Sequence, residues 1–154
     1  MRVAAGNYSR SSALREELQP GLKHEFRYRV PDNKTVPHLF PEATDFQHMP
    51  QVLATGYLVG LLEWACIDAL RPYLDWPQEQ TLGISIQTTH EAATPPGMEV
   101  TVQVELQAVE GRKLRFALTA HDGIDRIAVA THERAVVKAE RFNAALAEKV
   151  KSGA

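Results

Sequence analysis

The sequence contains a single cysteine, Cys66, so an intrachain disulfide is excluded. It also lacks any run of the ~20 apolar residues that a membrane-spanning helix requires. Residues 1–21 hold no uninterrupted apolar segment of the kind found in a secretory signal. These absences predict a protein that stays in the reducing cytoplasm and has no membrane partner.

The sequence also lacks a large excess of positive or negative charge. The formal net charge is −2 and no basic run is longer than two residues, so nucleic acid is not expected as a partner. The histidines show neither an HExxH motif nor Cys/His spacing, and the sequence has no GxSxG elbow and no glycine-rich phosphate loop. We therefore predict that the protein holds no metal and no cofactor.

The length of the chain, 154 residues, is sufficient for one domain and too short for two. We predict a partly ordered leader over residues 1–21, one folded domain over residues 22–143 and a helical tail over residues 144–154. Within the domain, an apolar loop punctuated by four prolines follows a short strand near His24–Val30.

One long helix is predicted in the middle of the chain, within residues 51–74. Thr55 is a plausible N-cap, with the main helix beginning at Gly56. Turn signals PPG, EGR and HDG separate four predicted strands, which cover residues 81–90, 99–109, 113–121 and 125–138. This order of elements predicts an α+β domain in which an antiparallel sheet wraps around one helix.

Glu63 is unusual for its position on that helix. The residues within about 60° of it, at about 100° per residue, are all small or apolar: Gly56, Val59, Gly60, Cys66, Ile67, Leu70 and Leu74. Burying an unpaired carboxylate costs several kcal/mol, and such an environment is typical of a general base or nucleophile. The alternative is a structural ion pair with an arginine distant in sequence.

His90 ends a predicted strand and has the same parity as Leu82, Ile84 and Ile86, which predicts that it points to the buried side. A histidine there is either a structural residue or a catalyst. The helix N-terminus near Thr55 offers N–H groups to an oxyanion, although a capping role explains Thr55 without any chemistry.

Five segments occur in order along the chain: KTVPHLFPE (34–42), ATGYLVGLLEWAC (54–66), THEAATPPG (89–97), VEGRKL (109–114) and HDGIDRIAVATHERAV (121–136). Together they resemble the fluoroacetyl-CoA thioesterase family of hot-dog proteins, over about residues 21–142. The resemblance implies the hot-dog fold, an acyl-CoA substrate and a homodimer with active sites near the subunit interface.

The resemblance also implies roles for particular residues. The threonine, glutamate and histidine that act on the thioester fall on Thr55, Glu63 and His90. Glu63 would attack the carbonyl to give an anhydride or would serve as a base for water, while His90 handles protons and Thr55 orients the thioester. Gly83 and Arg134 match a glycine and an arginine associated with the same site.

The lid of the fluorine-specific members resembles the proline-rich loop but carries two phenylalanines, whereas this chain has Phe46 and Met49. We therefore predict hydrolysis of a short acyl-CoA, either fluoroacetyl-CoA-like or with another small acyl group, to the free acid and CoA. Two alternatives are a non-catalytic acyl-CoA-binding hot-dog protein and a hot-dog enoyl-thioester hydratase. The leader is too short for the output domain of the first, and the Asp and His segment expected of the second is missing.

Overall fold

A computed structural model describes residues 15–153, so most of the predicted leader lies outside the described residues. Its five strands form one antiparallel sheet: β1 (Lys23–Arg29), β2 (Glu79–Thr88), β3 (Glu99–Glu110), β4 (Lys113–His121) and β5 (Arg126–Lys138). The helices are α1 (Thr44–Gln47), α2 (Thr55–Leu70) and α3 (Ala139–Gly153). The strand order is β1-β3-β4-β5-β2, which makes β1 and β2 the two edges.

The core lies between α2 and the sheet. The helix contacts both edge strands as well as β3, so the sheet wraps around it. Alternate residues of β3 are fully buried, such as Val100 and Val102, and they pack with Leu58 and Leu62 of the helix. This is the predicted α+β hot-dog fold. No helix among residues 15–153 is long and apolar enough to cross a membrane.

The helix begins at Thr55, one residue before the predicted start at Gly56 and without the predicted cap. Ala54 is the N-cap residue and makes no side-chain capping bond, while Thr55 is already helical. Residues before it are extended because Leu53 pairs with Thr35 and donates its N–H to the Thr94 carbonyl. The prediction of Thr55 as a cap was therefore wrong, and its hydroxyl is available for another partner.

Strand β2 contains a β-bulge that the sequence pattern does not reveal. Its register with β5 shifts between Gly83 and Ser85, leaving Ile84 as an extra residue. An extra residue exchanges the two faces of a strand, so Thr81 is buried before the bulge and Ile86 is partly buried after it. Ile84 is 54% exposed, and the predicted inward parity of Leu82 and Ile84 was wrong.

Candidate active site

Thr55 and His90 form a hydrogen-bonded pair at the start of α2. The Thr55 hydroxyl oxygen and His90 Nδ1 lie 2.7 Å apart. The two neighbours of His90, Thr89 and Glu91, both donate backbone hydrogen bonds to carbonyls of β5, which hold the histidine against the end of the sheet. Two of the three residues predicted to be catalytic are thus in direct contact.

The other ring nitrogen of His90, Nε2, is buried and has no hydrogen-bond partner within residues 15–153. Burial lowers the pKa of His90, so its imidazole is neutral at neutral pH. A neutral imidazole carries one N–H and one lone pair, and the Thr55 hydroxyl can donate to Nδ1 or accept from it. Nε2 is therefore the ring atom whose hydrogen-bonding capacity is unused within residues 15–153.

Glu63 lies two turns further along α2 and is paired with an arginine. Arg134 Nη1 donates to Glu63 Oε1 over 3.1 Å. The arginine side chain is 3% exposed and that of Glu63 is 38% exposed, so the carboxylate lies at the surface of the protein and its partner beneath it. The interpretation of Glu63 as an unpaired buried carboxylate was wrong, and the alternative of a distant arginine is the observed one. Its second oxygen, Oε2, has no protein partner within the described residues.

Arg134 is held on every side. Its Nε donates to the Thr81 hydroxyl over 2.9 Å, and its Nη2 donates to the Thr81 carbonyl over 2.8 Å. The second hydrogen of Nη1 faces His132 Nε2 at 3.0 Å. The sequence interpretation missed both Thr81 and His132. The available signal for His132 is its spacing of two from Arg134, which places both side chains on the same face of β5.

Gly83 is required by this cluster for steric reasons. A Cβ at this position would collide with Glu63 Oε1 and would lie 3.2 Å from the His132 ring. The glycine predicted to be part of the site therefore lets the Glu63–Arg134 ion pair lie directly against β2.

An open cavity of about 640 Å³ is lined by Val59 of α2, by residues 86–89 at the end of β2 and just beyond it, and by residues 129–131 of β5. Neither the Thr55–His90 pair nor the Glu63–Arg134 pair lines it, but both are its neighbours in the chain. Thr89 precedes His90, and Val59 lies one helical turn from both Thr55 and Glu63.

The sequence profile of the FlK family, described as fluoroacetyl-CoA-specific thioesterase, matches residues 36–140, more than half of the chain. This chain belongs to that family. A fluoroacetyl-CoA thioesterase from Streptantibioticus cattleyicolor is 49% identical over 140 residues, which cover 91% of this chain and 100% of the relative. The predictions of family membership and of thioester hydrolase activity are confirmed.

Solved structures agree with this assignment. A threonine-to-serine variant of FlK in complex with acetyl-CoA has a TM-score of 0.82 at 50% identity, covering 85% of this chain and 98% of that one. A Thermus thermophilus protein of the thioesterase superfamily has a TM-score of 0.72 at 25% identity, covering 87% and 93%.

Replacing Gly83 by Ala in this thioesterase is expected to lower kcat by about 10- to 100-fold, because a displacement of Glu63 by about 1 Å has an effect of this size. The control is Gly60→Ala on α2, where a Cβ meets nothing within 4 Å and alanine favours the helix. Steady-state rates of both variants are compared with the native protein. Equal rates for native and Gly83→Ala would show that the position of Glu63 is unimportant.

The residues predicted to form a lid, Phe46 and Met49, lie in the segment before α2. Phe46, on α1, packs on Phe40 with ring centroids 6.1 Å apart and planes inclined by 23°. Met49 follows α1 and is 44% exposed. The loop is fastened to the helix by the Tyr57 hydroxyl, which donates to the His38 carbonyl over 3.0 Å. The lid thus lies close to the N-terminus of α2, where Thr55 and His90 meet.

Cys66 lies on α2 but takes no part in the contacts described above. The Cys66 thiol is fully buried, and burial raises its pKa to about 12, so it remains protonated and is no nucleophile. Among residues 15–153, no three His, Cys, Asp or Glu side chains are grouped so as to hold a metal ion.

Proposed function

We propose that this thioesterase hydrolyses short acyl-CoA thioesters to the free acid and CoA, with the Thr55–His90 pair and the Glu63–Arg134 pair as its reactive groups. The observation that carries the proposal is the hydrogen-bonded Thr55–His90 pair at the start of α2 together with the Glu63–Arg134 pair two turns along the same helix. The acetyl-CoA bound to the FlK variant supports the class of substrate. A cytoplasmic location fits the single, unpaired cysteine.

Each residue has a role that its contacts support. Glu63 Oε1 is fixed by Arg134, which leaves Oε2 to attack the thioester carbonyl or to take a proton from water. In the first route Glu63 and the acyl group form an anhydride and the CoA sulfur leaves as a thiolate. Neutral His90 then takes a proton from the water that cleaves the anhydride and passes that proton to the thiolate. Thr55 and the free N–H groups of the first turn of α2 orient the carbonyl and stabilise its developing negative charge.

The experiment that tests this function is incubation of the purified protein with a panel of acyl-CoAs and a reagent that detects free thiol. Release of CoA from short acyl-CoAs supports hydrolysis. Tight binding without thiol release would identify a non-catalytic acyl-CoA-binding protein. Loss of the double-bond absorbance of an enoyl-CoA, with no thiol released, would identify a hydratase.

We also propose a homodimer formed through β2. The other edge strand, β1, carries the charged side chains Lys23, Glu25, Arg27 and Arg29, which discourage pairing with a second chain. Strand β2 carries one acidic residue at its start and exposes Ile84 at its middle. Because Glu63 and the cavity lie beside β2, a second copy paired there would also cover the site.

Light scattering is expected to give twice the chain mass of 17.1 kDa. Ile84→Glu should reduce this mass to that of the monomer, because it places a charge on the pairing edge. The matched control is Ile124→Glu, since Ile124 is 81% exposed in the turn between β4 and β5. A native monomer at micromolar concentration would contradict the dimer.

The lid predicts a graded substrate selectivity. Met49 is thinner and more mobile than the second ring of the fluorine-specific relatives, so this chain should favour fluoroacetyl-CoA over acetyl-CoA less sharply. Met49→Phe should increase the preference for fluoroacetyl-CoA over acetyl-CoA. The increase should stay within the ~10- to 200-fold by which one methylene in an apolar pocket changes selectivity. The measurement is kcat/KM for fluoroacetyl-, acetyl-, propionyl- and butyryl-CoA. If the native protein strongly prefers fluoroacetyl-CoA and Met49→Phe leaves that preference unchanged, position 49 does not determine the substrate selectivity.

A further inference from the structure

His132 is a buried histidine that the proposed mechanism does not use. Its side chain is 2% exposed, and its Nδ1 lies 2.7 Å from the Ser85 carbonyl oxygen. A carbonyl only accepts, so Nδ1 carries the proton. Its Nε2 faces a guanidinium nitrogen of Arg134 at 3.0 Å, and guanidinium only donates, so Nε2 must be the bare nitrogen. The two partners together fix a single neutral tautomer.

The charges around the ring agree with this tautomer. Burial lowers the pKa of His132, and the neighbouring Arg134 lowers it further, while the Ser85 carbonyl and Glu63 act in the opposite direction. The residues in register with it on the two neighbouring strands, Phe116 and Ile86, are apolar. The ring is therefore neutral at neutral pH, with its lone pair directed at Arg134.

The lone pair of His132 Nε2 affects Nη1 of Arg134, which carries two hydrogens. One is donated to Glu63 Oε1 and the other is directed to His132 Nε2. Because Nη1 is planar, acceptance of one of its hydrogens by His132 sets the direction of the other hydrogen. Thr81 holds the remaining side of the guanidinium through Nε and Nη2.

We propose that His132 is a positioning residue for thioester hydrolysis: it accepts one Nη1 hydrogen of Arg134 and so directs the other at Glu63 Oε1. The inference rests on the proposed role of Glu63. The bulge in β2 contributes to this arrangement. The register shift at Ile84 falls immediately before Ser85, whose carbonyl sets the tautomer of His132. A backbone irregularity is thereby connected through two side chains to the reacting carboxylate.

A pair of amide variants tests this inference. The amide of glutamine reaches the place of Nε2, so His132→Gln keeps an acceptor for Arg134 and loses the bond to Ser85. The amide of asparagine reaches the place of Nδ1, so His132→Asn keeps the bond to Ser85 and loses the acceptor. We expect kcat to fall by about 10- to 100-fold in His132→Asn with little change in KM, and to stay within about threefold of native in His132→Gln.

Thermal unfolding is measured for both variants, since a role in packing alone predicts that activity falls in parallel with Tm in each. Equal kcat in the two variants, or a greater loss in His132→Gln, would overturn the proposal. An inactive native protein would instead refute the proposed function. Nitrogen-15 NMR of native protein gives a reading that needs no variant. It should show His132 protonated at Nδ1 and bare at Nε2, and a proton on Nε2 would overturn the proposal.

Discussion

Glu63→Gln is expected to lower kcat by about 100-fold or more, because the amide can neither attack the carbonyl nor take a proton from water. The amide oxygen can still accept from Arg134, so the side chain keeps its place. The substitution leaves the buried arginine without a counter-charge, and the free energy of unfolding must therefore be measured beside the rate.

The matched control is Asp68→Asn on the same helix. Asp68 pairs with His24 over 2.6 Å at the surface, so its neutralisation should leave kcat near the native value. Near-native turnover by Glu63→Gln would remove the glutamate from the mechanism. Parallel loss in both variants would indicate a general effect of charge on α2.

His90→Ala is the second substitution with a large expected effect, again about 100-fold or more in kcat, because it removes the neutral imidazole that takes a proton from the attacking water. Within residues 15–153 the side chain makes one hydrogen bond, to Thr55, so the fold should persist. His121→Ala is the control, since His121 is an exposed residue at the end of β4. A His90→Ala variant with native kcat would contradict the assignment.

The pH profile gives an independent check on His90. Because burial lowers its pKa below the ordinary value of about 6.5, the neutral ring persists as the pH falls through that value. Activity that needs the neutral ring is therefore retained at pH 6.5 and lost only at more acidic pH. A native acid limb of kcat/KM centred above pH 6.5 would show that His90 is more exposed or differently paired in solution.

The regular parts of the fold were predictable because their signals are local. The alternation of valines in β3 and the charged turns around β4 predict strands that differ from the observed bounds by no more than one residue. The start of α2 was predicted at Gly56, one residue from the observed start. Its cap was not predictable, since Leu53 is held extended by Thr35 and Thr94 and Ala54 becomes the N-cap residue. The bulge at Ile84 leaves no mark in the alternation of apolar residues, and it reversed the face assigned to half of β2.

The site was predictable to the extent that its residues break a pattern or belong to a motif. Glu63 stands out in the sequence as a charge on an apolar stripe of the helix. Its partner Arg134 lies 71 residues away, and only the folded sheet brings the two together. His132 occupies a regular inward position of β5 and breaks no pattern, so only its two hydrogen bonds reveal that its tautomer matters. The roles of Thr55, Glu63 and His90 remain predictions.

The burial of Cys66 has a consequence for an enzyme whose product is itself a thiol. Every turnover releases free CoA, and an accessible thiolate beside the site would exchange with CoA disulfides and become trapped as a mixed disulfide. Cys66 is enclosed by the core and remains protonated, because burial raises its pKa to about 12. The folded protein should therefore keep its full activity through prolonged exposure to oxidised CoA.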